Sequence, residues 1–207
     1  MVDDLAREGA ALFLAVRPRT VALAGGATPR RLYERLAQLD HPWGETDVCF
    51  GDERCVPPDH PDSNFRMAHE ALFSRVRARV HRMHGETCDP ARYEEELASI
   101  FDSDPPRFDL VFLGLGADGH TASLFPGDPA LDERERWVVR VEREDHARLT
   151  VTLPVLSAAK TAVFLVSGEA KREALRLLMA CADIPAARVA ADRVIVLADR
   201  AAAGGVS

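Results

Sequence analysis

Residues 109 to 123 read DLVFLGLGADGHTAS, an apolar run that ends in glycines and carries Asp118 and His120 two positions apart. An imidazole titrates near neutral pH, and a neighbouring carboxylate fixes its tautomer and steadies its charged form. That pairing suits a general base acting on water. The same run holds Gly114, Gly116 and Gly119 at the G-x-G-x-x-G spacing of a dinucleotide cradle. A cradle of that kind needs a full helix after its last glycine and an acid about twenty residues further on. Here HTASLF runs into Pro126, Gly127 and Pro129, so a helix could not exceed about two turns. What remains is a tight loop presenting Asp118 and His120. An isolated D-G-H would mean only a capping aspartate and a satisfied histidine, so the loop needs companions.

Three other stretches supply them. GGATP, Gly25 to Pro29, follows the run TVALA and precedes RRLYERLAQL. Two glycines let backbone N–H groups approach a ligand, and a helix N-terminus favours negative charge, which together make a phosphate seat from Gly25, Gly26, Ala27 and Thr28. Thr28 is placed as the N-cap and Pro29 as the first helical residue; an ordinary capped turn would look the same. SGEAK puts Lys171 in a first helical turn, where it opposes the helix dipole and is better placed as a charge for a bound anion than as a stabilising residue. FGDER sets Asp52, Glu53 and Arg54 directly after a buried-looking run, where unpaired charges are costly unless they serve a polar ligand. An Asp52–Arg54 ion pair is the plain alternative, and Ser63 and Asn64 read equally well as the cap of the next helix. His81 and His84 fall on an expected surface helix with no ligand cluster, so no metal is expected.

These residues need a frame that carries them to one place. Apolar runs at 20–24, 47–50, 109–115, 147–153, 161–167 and 193–197 alternate with helical patterns near 3–15, 29–38, 64–80, 90–101 and 170–181. The rhythm predicts an α/β fold with a mostly parallel sheet flanked by helices. In such sheets ligands sit beyond the carboxyl ends of the strands, where the four stretches converge. The 207 residues, 47% of them hydrophobic, suit a single domain spanning 1–207. A net charge of −7 argues against a nucleic-acid or anionic-membrane partner, so local basic groups must outweigh that field if a phosphorylated ligand binds. The acidic start and the lack of a long apolar run predict a cytoplasmic protein. Cys49, Cys55, Cys88 and Cys181 are irregularly spaced and are expected to be reduced.

Taken in order, GGATP, DERCVP, SN, GLGADGHTASLFP, RLTVTLP and SGEAK resemble the 6-phosphogluconolactonases, within the wider group of glucosamine-6-phosphate deaminases. The resemblance runs through nearly the whole chain. It implies a Rossmann-like three-layer sandwich and hydrolysis of 6-phospho-D-glucono-1,5-lactone to 6-phosphogluconate, the second step of the oxidative pentose phosphate pathway, with no metal and no cofactor. It further implies that His120, with Asp118, activates water. Arg54, Lys171 and the Gly25–Thr28 turn would hold the phosphate, while Asp52, Asn64 and Arg148 would line the sugar or orient the site. The deaminases look like D-G-H-I-A-F-N-E after the same histidine, and here the run is DGHTASLFP without that glutamate. Ala27 stands where the family more often has serine. A deaminase-like enzyme and a non-catalytic sugar-phosphate sensor are the alternatives, and a monomer or small homo-oligomer is expected.

Overall fold

The computed structural model describes residues 1–204. Its larger sheet has six strands, all parallel, in the order β4(Arg79–Val80), β2(Asp47–Phe50), β1(Thr20–Leu23), β5(Leu110–Gly114), β8(Thr161–Val166), β9(Arg193–Ala198). The chain therefore winds outward from β1 through β2 to β4, then returns to the other side of β1 and winds outward again. The switch of direction lies between β1 and β5, and a crevice opens at such a point beyond the strand ends. In β8 every residue is buried, as a strand covered on both faces demands.

Helices flank the sheet. α2(Ala27–Leu36) buries Pro29, Leu32, Tyr33 and Leu36, a stripe at helical spacing, and packs against α1(Leu5–Val16), β5 and β8. α6(Arg172–Met179) buries Ala174, Leu175 and Leu178 in the same way. One contiguous apolar cluster joins both layers to the sheet. No described helix is long and apolar enough to cross a membrane.

Two expectations need correction. The run at 147–153 does not join the parallel sheet. Its core, β7(Arg148–Val151), lies between β3(Asp52–Arg54) and β6(Val138–Val141) in a separate antiparallel sheet of three strands. The chain enters that sheet at Gly51, one residue after β2 ends. The helix expected over 64–80 is also shorter: α3(Asn64–Ala68) continues as a wider turn over His69–Phe73, and β4 follows. His81 thus lies just past a strand, hydrogen-bonded to Glu96 and Asp47 at 2.6 and 2.9 Å.

The cysteines give a third correction. Cys55 and Cys88 form a disulfide, with Cα atoms 5.1 Å apart across a separation of 33 residues, while Cys49 is free and buried and Cys181 free and exposed. The two partners lie on loops that follow β3 and precede α4(Pro90–Ala98), and no spacing rule makes such loops neighbours.

Candidate active site

At the end of β1 the turn into α2 is held from within the helix. The Tyr33 hydroxyl donates to the Ala24 carbonyl and accepts from the Ala24 N–H, both at 2.8 Å. Gly25 follows with no room for a side chain, because a Cβ there would collide with the Asn64 amide. Gly26, at φ +107°, is the N-cap, so Thr28 is not. The helix starts earlier than its capping chemistry suggests because glycine closes the turn through a conformation that threonine rarely adopts. Thr28 lines the cleft, and the Ala27 and Thr28 N–H groups, in the first helical turn, have no partner within the helix.

β3 places alternate side chains on opposite faces. Asp52 and Arg54 reach the cleft, and Glu53 turns away. Glu53 accepts from the N–H groups of Arg54, Asn64 and Phe65 and from the Ser63 hydroxyl, at 2.7 to 3.0 Å. Burial, the largest influence, raises its pKa despite those four bonds. Asp52 forms no ion pair with Arg54 among the described residues. Its carboxylate accepts from the Ser123 hydroxyl at 2.7 Å and the Asn64 side-chain N–H at 3.2 Å. Ser63 does cap α3 through its bond from the Arg66 N–H.

Arg54 and Arg148 face each other across the β3–β7 ladder. Like charges directly opposite repel unless something negative lies between them. Arg54 donates to the Asp62 carbonyl at 2.6 Å and Arg148 to Asp145 at 2.6 Å, yet the Nε of each is buried with no partner. Two buried guanidinium N–H groups without acceptors, on residues that both line one cleft, are donors that an anion would satisfy.

The end of β5 answers the glycine question. A Cβ at Gly116 would strike the His120 imidazole and the Asp118 carboxylate, so this glycine clears space for the pair rather than for a pyrophosphate. The His120 Nδ1 lies 2.6 Å from Asp118 Oδ1, and the His120 backbone N–H donates to the same oxygen at 3.2 Å. Burial favours the neutral acid, but the amide bond and the histidine together hold the Asp118 carboxyl below its usual range. With Nδ1–H given to that carboxylate, Nε2 carries the free lone pair. The ring leans on Phe125 at 4.5 Å between centroids, and Phe125 in turn lies beneath the Arg143 guanidinium at 4.1 Å.

At the end of β8, the Ser167 hydroxyl and the Gly168 N–H donate to Asp199, at 2.6 Å and about 3.1 Å. That fixes the turn from which Lys171 lines the cleft, and Lys171 has no ion pair among the described residues. Asp199 is invisible to motif reading, since it closes the last strand without a distinctive neighbour. Ser167, by contrast, was legible as part of SGEAK. Gly25, Gly26, Ala27, Thr28, Asp52, Arg54, Asn64, His120, Arg148 and Lys171 all line one cleft of about 350 Å³. That volume falls in the range of small-molecule sites. Asp118 alone stands behind it, reaching the cleft through His120.

The described residues also gather one set of three possible metal-ligating groups, away from His81 and His84: His60, Asp62 and His146.

The family model described as glucosamine-6-phosphate isomerases/6-phosphogluconolactonase matches residues 2–197. The chain belongs to that family. It is 46% identical over 166 residues to 6-phosphogluconolactonase of Synechocystis sp., covering 75% of this chain and 69% of that one. It is 43% identical over 171 residues to 6-phosphogluconolactonase of Nostoc sp., covering 78% and 71%. The solved 6-phosphogluconolactonase from Thermotoga maritima superposes with a TM-score of 0.87 at 29% identity, covering 96% of this chain and 97% of that one. The parallel sheet flanked by helices is thus the architecture of this family.

Proposed function

We propose that the chain hydrolyses 6-phospho-D-glucono-1,5-lactone to 6-phosphogluconate, with His120 as the base. One observation carries the reading: an imidazole backed by Asp118 and two guanidinium groups with unpaired N–H share a single cleft with Lys171. The phosphate sits against Arg54, Lys171 and the N-terminus of α2, which places the lactone ring toward His120. A water beside Nε2 loses its proton to the ring as its oxygen bonds to C1. The resulting tetrahedral oxyanion collapses, the bond between C1 and the ring oxygen breaks, and His120 returns the proton to that oxygen. The product acid then ionises in water. A lactone is already an electrophilic ester, so orientation and charge suffice without a covalent nucleophile. Ser123 is fully buried and bonded to Asp52, which suits it to holding the site together.

The run after His120 lacks the glutamate that the deaminase reading asks for. We take the chain to work as one domain, alone or as a small homo-oligomer, in the cytoplasm. A reducing compartment would keep Cys55 and Cys88 as thiols, and thiol counting on protein trapped from cells tests that placement. The reaction itself is tested by following acid release from fresh lactone. His120→Ala should lose about 10²- to 10⁴-fold in rate while keeping its fold. A variant as fast as the parent removes His120 from its role. Tight binding of 6-phosphogluconate by a parent that never accelerates hydrolysis would mark a sensor, and ammonia from glucosamine 6-phosphate a deaminase.

A further inference from the structure

We propose that His60, Asp62 and His146 form a transition-metal site, suited above all to Zn²⁺, at the rim of the cleft. His60 and Asp62 come from the proline-marked loop after β3, and His146 from the segment entering β7, 84 residues further along from Asp62. The ladder brings them together: Arg54 is paired with Arg148, and the Cys55 N–H continues that pairing to the Ala147 carbonyl at 2.8 Å. Beyond it the two loops meet.

The His146 Nε2 lies 3.0 Å from Asp62 Oδ2, and the His60 Nδ1 lies 3.8 Å from the same oxygen. All three donor atoms fall within 4.8 Å of one another. A Zn²⁺ ion with ligands at about 2.0 to 2.2 Å in a tetrahedron spaces them roughly 3.4 Å apart. The two pairs at 3.0 and 3.8 Å are therefore near that spacing, and the third closes on it by rotations of partly exposed side chains. The two imidazole centroids are 5.4 Å apart, against about 5 Å for two rings sharing one such ion.

The donor set narrows the ion. Two imidazoles with one carboxylate suit zinc and its first-row neighbours, while Ca²⁺ and Mg²⁺ ask for a shell of oxygens that three such residues do not supply. Binding replaces two hydrogen bonds, His146 to Asp62 and the Asp62 N–H to His60 Nδ1 at 3.1 Å. An exposed pair of that kind contributes little on its own.

The ion would staple the two segments that carry Arg54 and Arg148. Arg54 already donates to the Asp62 carbonyl, so fixing Asp62 steadies a cation of the cleft. That consequence rests on the anion-binding reading given above, whereas the metal site stands on its own geometry.

The test uses the full chain stripped with a chelator. Zn²⁺ is titrated by calorimetry and Co²⁺ by visible absorption, each on the parent and on His60→Gln, His146→Gln and His81→Gln. One equivalent should bind the parent, weaken at least 100-fold in the first two variants, and persist in the third. Bound zinc should raise the melting temperature of the parent by mass action and leave that of the first two unchanged. Melting curves taken without metal establish that all the variants fold. Binding that survives both His60→Gln and His146→Gln, that is lost with His81→Gln alone, or that is absent up to zinc on the order of 1 mM overturns the proposal. Lactone hydrolysis by a chain that binds no zinc overturns the metal site alone. Zinc binding by a chain that hydrolyses no lactone overturns only the catalytic reading.

Discussion

Asp118 and His120 sit two positions apart, and the loop folds so that one carboxylate oxygen meets both the ring and the amide of His120. The depressed pKa of Asp118 keeps that carboxylate ionised wherever a histidine can serve as a base. The sign follows: a carboxyl held below its ordinary value contributes fully above that value and loses its contribution as pH falls through the depressed one. Asp118→Asn should lower kcat by about 10²-fold or more with little change in KM, because it removes the orientation of the base and not substrate contacts. Melting temperatures of the variant and the parent should differ at neutral pH and converge only as pH falls through the depressed Asp118 value, below the ordinary aspartate range. A parent-like kcat, or a gap in melting temperature that persists in acid, removes Asp118 from the role. This pair was legible because its members are adjacent in sequence. Asp199 and the unpaired Nε groups of Arg54 and Arg148 were not, since each depends on strand neighbours far along the chain.

Two of the site loops leave their strands at residues pinned by a buried tyrosine. Tyr33 of α2 holds Ala24 at both its N–H and its carbonyl, and Tyr93 of α4 does the same for Phe50 at 2.9 and 3.2 Å. Glu53 performs the equivalent service for the loop that closes into α3, taking three successive-segment amides and one hydroxyl. Glu53→Ala leaves four donors without their acceptor, those of Ser63 and Asn64 buried, so a loss of about 2 to 4 kcal/mol in unfolding free energy is expected. Denaturant unfolding measures it, and a change below about 0.5 kcal/mol, as at an ordinary surface site, would show that Glu53 organises nothing. Five of the six strands of the parallel sheet announce themselves as apolar runs, while β4, at two residues, falls inside the stretch that reads as helix. ARLTVTL reads as one more such run, but β7 lies in the antiparallel sheet. Its alternation is the distinguishing signal, with Leu149 and Val151 in the core and Arg148 on the cleft. β3, at three residues between a glycine and a cysteine, is too short to separate from the loop by pattern at all.

Across the whole molecule the net charge of −7 opposes an anionic substrate, yet Arg54 and Arg148 of the small antiparallel sheet and Lys171 beyond β8 all line one cleft. The composition could set that opposition, but only the topology resolves it, by drawing cations from residues 54, 148 and 171 into one cleft. Under the proposed function the cleft cations attract the phosphate while the remaining surface repels it, and the two parts respond differently to salt. Exposed charges more than about 10 Å away are largely screened at 0.1 M ionic strength, whereas a cation in contact with the phosphate is screened much less. Lys171→Ala removes one charge-assisted contact and should raise KM for the lactone about 10- to 100-fold with a smaller change in kcat. Moderate salt should leave the KM of the parent nearly unchanged, because screening relieves the repulsive surface as well as weakening the attraction. With one contact cation gone, the surface repulsion weighs more, and added salt should lower the KM of the variant. Steady-state kinetics on fresh lactone at low and moderate ionic strength separate the two effects. A Lys171→Ala enzyme whose KM matches the parent at both would show that the phosphate is held elsewhere.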